Sequence, residues 1–225
     1  MTYYKVLNAD ATPCSGGTGK WFLANGEPAE WMPEIANIEP CKRGYHLCER
    51  GQLVLWLGPT IWEAEGRGKC IRQDDKVVFA QARLIRVVPT WNKRMARLFA
   101  CDCAELVLSV YAKSYPGDNC LVECIAVARR YANGEATADE LAAASAAAWA
   151  ASSAASLAAA SASWAASSAA SSAAPWAASW AAARAASWAA ARAASLAAAA
   201  WAASSAASRA AQTECLFEYL NGVIA

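Results

Sequence analysis

From Pro175 to Leu196 the chain reads PWAASWAAARAASWAAARAASL. This is the densest part of a run, Leu141 to Gln212, written almost entirely in alanine, serine and tryptophan. The run holds three charges, Arg184, Arg192 and Arg209, with no acid and no glycine. Bulky residues recur at every fourth position: Trp176, Trp180, Arg184, Trp188, Arg192 and Leu196. Alanine is the best helix former, and Pro175 is the one strong breaker in the run. The composition therefore predicts helices with small side chains that can approach closely, not a catalytic surface.

Geometry decides how such a run folds. One straight helix over 141–212 would be about 108 Å long at the usual rise per residue. A four-residue period overshoots the helical turn by about 40° per repeat, so the bulky stripe would circle the helix in roughly nine repeats. No single partner could bury such a stripe. Shorter antiparallel helices solve the problem, with breaks expected at Ser152–Ser153, between Ser167 and Pro175, and at Ser204–Ser205, where serine competes for the backbone. Tryptophan supplies the buried area that alanine lacks.

The flanks are ordinary protein. Residues 214–224 (ECLFEYLNGVI) form an amphipathic segment whose Leu216, Phe217 and Leu220 are expected to dock, with Asn221-Gly222 as terminator. Thr137-Ala-Asp-Glu140 fits a capping box that launches the alanine-rich run. Upstream, Asn92–Lys113 carries Met95, Leu98, Phe99, Leu106 and Val110 at helical spacing. A second helix is expected over Leu121–Ala132, stopped by Asn133-Gly134.

Residues 1–90 have a different texture, rich in turn formers and in β-branched or aromatic residues. Strands are expected at Tyr3–Leu7, Thr60–Glu65 and Lys76–Val88, with a short one at Trp21–Leu23 and a turn at Asp74-Asp75. Residues 14–20 read as a loop, and the proline-rich stretch 26–40 as irregular. Gly51–Leu57 is read as a short helix, because Leu53, Trp56 and Leu57 follow i, i+3, i+4 spacing. The sum is an α+β chain: a small mixed domain at 1–90 and an all-helical, alanine-rich domain of short antiparallel helices at 91–225.

A net charge of +1 over 225 residues gives no electrostatic case for nucleic acid or an anionic membrane. The alanine run lacks charge over 141–183, yet alanine and serine are too weakly apolar for a spanning helix. No basic and apolar leader opens the chain, so no signal peptide is expected. Nine scattered cysteines without a CxxC pair fit reduced thiols in a cytoplasm. A Cys41–Cys48 disulfide is the alternative.

Three clusters carry chemistry. Cys41 to Glu49 (CKRGYHLCE) contains the single histidine. His46, flanked by Tyr45, Arg43 and Glu49, is either a base or anion clamp, or a strand-edge residue bonded to a backbone carbonyl. Gly16-Gly17-Thr18-Gly19-Lys20 has the texture of a phosphate loop but not its full spacing, and Trp21 stands where a metal-binding hydroxyl belongs. Arg94 and Arg97 on the first long helix, with Arg129-Arg130 from the next, could form an anion pocket. A solvated polar face is the plainer reading. One histidine with dispersed cysteines gives no metal-ligand spacing, and no cofactor is implied.

The stretches YYKVLNAD (3–10), CKRGYHLCE (41–49), LVLWLGPTIWEAE (53–65) and DDKVVFAQARLIR (74–86) resemble a domain of phage and actinobacterial proteins. RLFACDCAELVL (97–108), YAKSYPGDN (111–119) and ECIAVARRYANGEATADELAAA (123–144) are similar to an immunity-protein family with alanine-rich repeats. The resemblance implies an all-helical C-terminal domain and a phage or bacterial cytoplasmic setting. It carries no reaction and no catalytic residues. The tail departs from that family, which intersperses Arg, Asp and Tyr where serine and tryptophan dominate here.

These readings converge on a non-enzymatic binding or assembly protein of phage–bacterium conflict. Arg43, Tyr45, His46, Arg94 and Arg97 are the candidates to contact an anionic, nucleotide-like ligand or a protein partner. The Ala/Trp helices are expected to form a homo-oligomer, with no membrane or nucleic-acid partner. The alternatives are an enzyme acting on a nucleotide through His46, by ADP-ribosyl or nucleotidyl chemistry, and a purely structural self-assembling subunit.

Overall fold

The structure, a computed structural model, describes residues 2–106, 108, 116–117, 119–153 and 198–224, with 146–153 and 198–207 described by their backbone alone. It is an α+β protein whose chain divides into two compact units, Met1–Asn92 and Lys93–Ala225.

The first unit is built on one antiparallel sheet. Strands β1 (Tyr3–Leu7), β2 (Tyr45–Leu47), β3 (Thr60–Arg72) and β4 (Val77–Val87) lie in the order β1-β3-β4-β2. β3 and β4 form a hairpin across the Asp74-Asp75 turn, closed by the Gln73 amide donating to the Lys76 carbonyl at 2.8 Å. The ladder slips twice, at Glu63/Ala64 and at Arg67/Cys70. In the second slip Gly68 takes a left-handed φ of 78°, which lets an extra residue bulge out of β3. β3 therefore runs seven residues past its expected end at Glu65. Bulges break the alternation by which a strand is recognised, and the glycines at 66 and 68 look like a terminator. At Gly66 the Phe79 ring fills the place of a side chain: a Cβ there would lie 2.4 Å from the ring.

The irregular proline-rich segment has a structural task. The amides of Ala29, Met32 and Ile35 donate to the carbonyls of Leu84, Ala82 and Ala80 at 2.8, 2.9 and 3.0 Å. Donors three residues apart meet acceptors two apart, as a polyproline-like twist against a strand requires. The segment covers the part of β4 that the short β2 leaves open, which blunts an exposed sheet edge. On the far side the sheet curls. An isolated bridge joins β1 to the end of β2: Tyr4 and Cys48 exchange two backbone hydrogen bonds of 2.8 Å.

Tyr3, Leu7, Leu47, Trp62, Ala64, Phe79 and Leu84 pack into the main core on one face of this sheet, joined by Trp21 and Ala29. Each fully buried large apolar side chain contributes roughly 1.5–3 kcal/mol. Residues 21–23 are not a strand. Trp21 is buried with its amide on the Ala11 carbonyl at 3.0 Å, while Phe22 and Leu23 are exposed. Aromatic content marks a core anchor there, and no strand pairs with the segment. The helix expected at 51–57 is a 3-10 helix at Arg50–Leu55.

The second unit contains helices α1 (Lys93–Glu105), α2 (Cys120–Ala132), α3 (Ala138–Ser153) and α4 (Ala198–Leu220) among the described residues. α2 stops at Asn133, and Gly134 follows with a φ of 78°. The capping box is in place: the Thr137 amide donates to Glu140 Oε2 at 2.7 Å and the Glu140 amide to Thr137 Oγ1 at 3.2 Å. Asp102 of α1 is a three-way tie. It accepts from Arg129 of α2, from the Tyr219 hydroxyl of α4 at 2.6 Å, and from the Cys215 thiol at 3.7 Å. Leu216, Phe217 and Leu220 are buried, as the amphipathic end of the chain requires.

α4 runs through Ser204-Ser205 without a break, contrary to the sequence expectation. Two serines cost only a few tenths of a kcal/mol each, and the alanines around them outweigh that. The tryptophan ladder from Trp176 to Trp188, the breaks expected between Ser167 and Pro175, and Arg184 and Arg192 lie outside the described residues. Among the described residues no helix is long and apolar enough to cross a membrane.

Candidate functional site

A cleft of about 530 Å³ opens in the first unit, where β1 and β2 part. At Tyr4 and Cys48 the two strands are bonded backbone to backbone. One residue further along β1, the Lys5 ammonium spans the gap instead, donating to the His46 carbonyl at 3.0 Å. The walls of the cleft include Lys5 and Val6 of β1, the glycine loop 14–18, Trp21, the 41–48 cluster, and Trp56 with Lys76.

Among the described residues four cations line the cleft, Lys5, Lys42, Arg43 and Lys76, and no carboxylate does. Their states differ. Lys42 is paired with Glu39 at 2.7 Å, and Lys76 with Asp75 at 3.0 Å. Lys76 is buried and lies 5.0 Å from the centre of the Trp56 ring. Burial works against its charge, but hydrogen bonds to Asp75 and to the Cys41 thiol outweigh that and raise its pKa. Lys5 and Arg43 have no carboxylate partner among the described residues. Lys5 sits 5.1 Å from the centre of the Trp21 ring. Burial lowers its pKa to about 8, partly opposed by the nearby thiols of Cys48 and Cys14.

The arrangement of His46 settles its chemistry. Its Nε2 accepts the Cys41 amide at 2.9 Å, which requires a lone pair on that nitrogen. Burial, and then the Lys5 charge, push its pKa down, against the opposing pull of a hydrogen bond to the Gly44 backbone. His46 is therefore a neutral ring that pins the 41–44 loop. The loop needs the support: Cys41 has a φ of 65° and Gly44 one of 126°, both in the left-handed half of the map. The sequence alternative of a strand-edge histidine tied to backbone matches this geometry, although its key bond accepts an amide.

Tyr45 donates its hydroxyl to the Pro33 carbonyl at 2.8 Å and packs edge-on to Trp21, 5.4 Å between ring centres. Arg43, Tyr45 and His46 thus share one cleft. Arg94 and Arg97 are not among the residues lining it. They belong to the helical unit, where Arg94 Nε donates to Asn133 Oδ1 at 3.0 Å and Arg97 lies 4.7 Å from the centre of the Tyr131 ring. Arg129 is bound to Asp102 and Glu105, and Arg130 lies 3.8 Å from Glu140. Gly16, Gly17 and Thr18 of the phosphate-like loop do line the cleft, while Gly19 and Lys20 do not.

Sequence reading passed over Lys5, Trp56 and Lys76. For Lys5 a signal existed. In YYKVL, Tyr3, Lys5 and Leu7 share one side of an alternating strand, and Tyr3 and Leu7 are core. A lysine on the core-facing parity asks for an explanation.

The nine cysteines, all among the described residues, are free thiols, so Cys41 and Cys48 are not bridged. Cys41 is exposed, whereas burial raises the Cys48 thiol to about 12. Among the described residues no group of three or more His, Cys, Asp or Glu side chains is placed to hold a metal ion. No family model, curated protein or solved structure matches the chain.

Proposed function

We propose that this chain is a non-enzymatic binding protein whose cleft takes a small anionic ligand with a planar, nucleotide-like part. The observation that carries this reading is the lining: among the described residues it holds four cations, two of them without a carboxylate partner, and no acid. Arg43 is exposed, permanently charged and suited to clamp a phosphate in a bidentate fork. The Gly16–Thr18 backbone adds amide donors, and Trp21, Tyr45 and Trp56 offer flat apolar surface to a ring. The setting is the cytoplasm of a bacterium or a phage-infected cell. In this reading the C-terminal half is all-helical, a set of short antiparallel helices that self-associates into a homo-oligomeric scaffold and displays the cleft, to a protein partner where one exists.

The test is a titration of the full chain with a nucleoside diphosphate, followed by tryptophan fluorescence and calorimetry. Saturable binding is expected, weakened at least about tenfold (~1.4 kcal/mol) by Arg43→Ala and weakened by added salt. Equal affinity for the uncharged nucleoside would overturn the reading. So would turnover of the nucleotide that His46→Ala abolishes.

A further inference from the structure

We propose that Lys5 is a reactive amine, and that the cleft captures an aldehyde-bearing phosphate ester by forming an imine with it. The inference rests on the anion-binding reading of the same cleft and adds a covalent step. The cleft's cations fall into two kinds. Arginine is a permanent cation, and Lys42 and Lys76 are each paired with a carboxylate, at 2.7 and 3.0 Å. Lys5 alone of the lining lysines lacks a carboxylate partner among the described residues. Its neighbours among the described residues include a backbone carbonyl, an indole face, and the thiols of Cys48 and Cys14.

Burial, with no carboxylate beside it to hold the charge, favours the neutral amine and lowers its pKa to about 8, although the two thiols pull the other way. At pH 7.4 about a fifth of an amine with that pKa is unprotonated, against roughly one in a thousand for an ordinary lysine. Only the unprotonated amine attacks a carbonyl. The chemistry balances without a redox partner. The Nζ lone pair adds to the aldehyde carbon, the carbonyl oxygen takes up protons and leaves as one water, and a C=N bond replaces the C=O bond. Arg43 and the glycine loop would hold the phosphate while Lys5 reacts. A permanent cation in the same cleft as a reactive amine, with aromatic residues in the lining, suits a planar aldehyde carrying a phosphate.

The probe is pyridoxal 5′-phosphate added to the full chain, followed by borohydride reduction and peptide mass mapping. Lys5 is expected to label at least tenfold faster than Lys20, Lys42, Lys69 or Lys93. Pyridoxal without the phosphate should label Lys5 at least tenfold more slowly. Lys5→Arg should remove that adduct with little change in the circular dichroism spectrum, and because the map on the unaltered chain decides the matter, a poorly folded variant does not obscure it. Uniform labelling of the lysines would overturn the inference, whether or not nucleotides bind. Selective labelling of Lys5 with no advantage for the phosphate would keep the reactive amine and overturn its anion anchor, and with it the binding reading.

Discussion

His46→Ala separates a pinning histidine from a catalytic one. In the structure the ring accepts the Cys41 amide at 2.9 Å and bonds the Gly44 backbone. A hydrogen bond of this kind contributes about 0.5–1.5 kcal/mol. Cys41 is exposed, so water takes over its amide when the ring is gone, and the loss stays at roughly 1–2 kcal/mol. For a chain of this size that lowers the melting temperature by about 2–8 °C. The sign of the pH dependence follows from the depressed pKa. Burial and then the Lys5 charge disfavour the protonated ring in the folded protein. The folded state therefore holds fewer protons on this residue than the unfolded chain does. The stabilisation from His46 is complete above the unfolded value near 6.5, and it is lost as pH falls through the lower folded value. Urea denaturation of both proteins, followed by tryptophan fluorescence at pH 8 and at pH 5.5, reads this directly. The gap between wild type and His46→Ala should be largest at pH 8 and should shrink at pH 5.5. A gap that widens on acidification would mean a cationic, paired histidine, and the pinning argument would be wrong.

Tyr219→Phe removes a 2.6 Å bond to the Asp102 carboxylate and should cost about 2 kcal/mol in thermal unfolding, since bonds to charged groups sit at the strong end. An unchanged melting temperature would show that the three-way tie is ornamental. Gly66→Ala forces a Cβ to within 2.4 Å of the Phe79 ring and should destabilise by about 1–3 kcal/mol. Phe79→Leu in the same chain should return part of that loss, and a purely additive double variant would refute the steric explanation.

Local signals were legible in the sequence and long-range ones were not. The capping box at Thr137 and the stop at Asn133-Gly134 depend on residues within four positions of one another, and both form as expected. The 41–48 cluster was visible because its chemistry is contiguous. Trp56 and Lys76 stand 20 positions apart, with the whole of β3 between them, and meet only in the folded chain. The indole donates to the Asp75 carbonyl at 2.7 Å, a contact no periodicity announces. The length of β3 was hidden for a related reason. A bulge changes which side chains face the core, so a window that assumes strict alternation stops at the first slip.

The place of the cleft follows from the sheet itself. β2 has three residues, too few to pair with β1 along its length while it is also paired with β4 through Tyr45–Phe79, His46–Val78 and Leu47–Val77. The curl of the sheet brings the two outer strands together at one bridge, Tyr4–Cys48. Backbone groups left open at such a gap need partners. A lysine side chain supplies one at the His46 carbonyl, and the price is an ammonium set among rings and thiols. The same short strand that opens the cleft thus also creates the unusual state of Lys5. Lengthening β2 by a residue paired to β1 would give those backbone groups a strand partner and close the opening, so the cavity and the role of Lys5 at its edge stand or fall together.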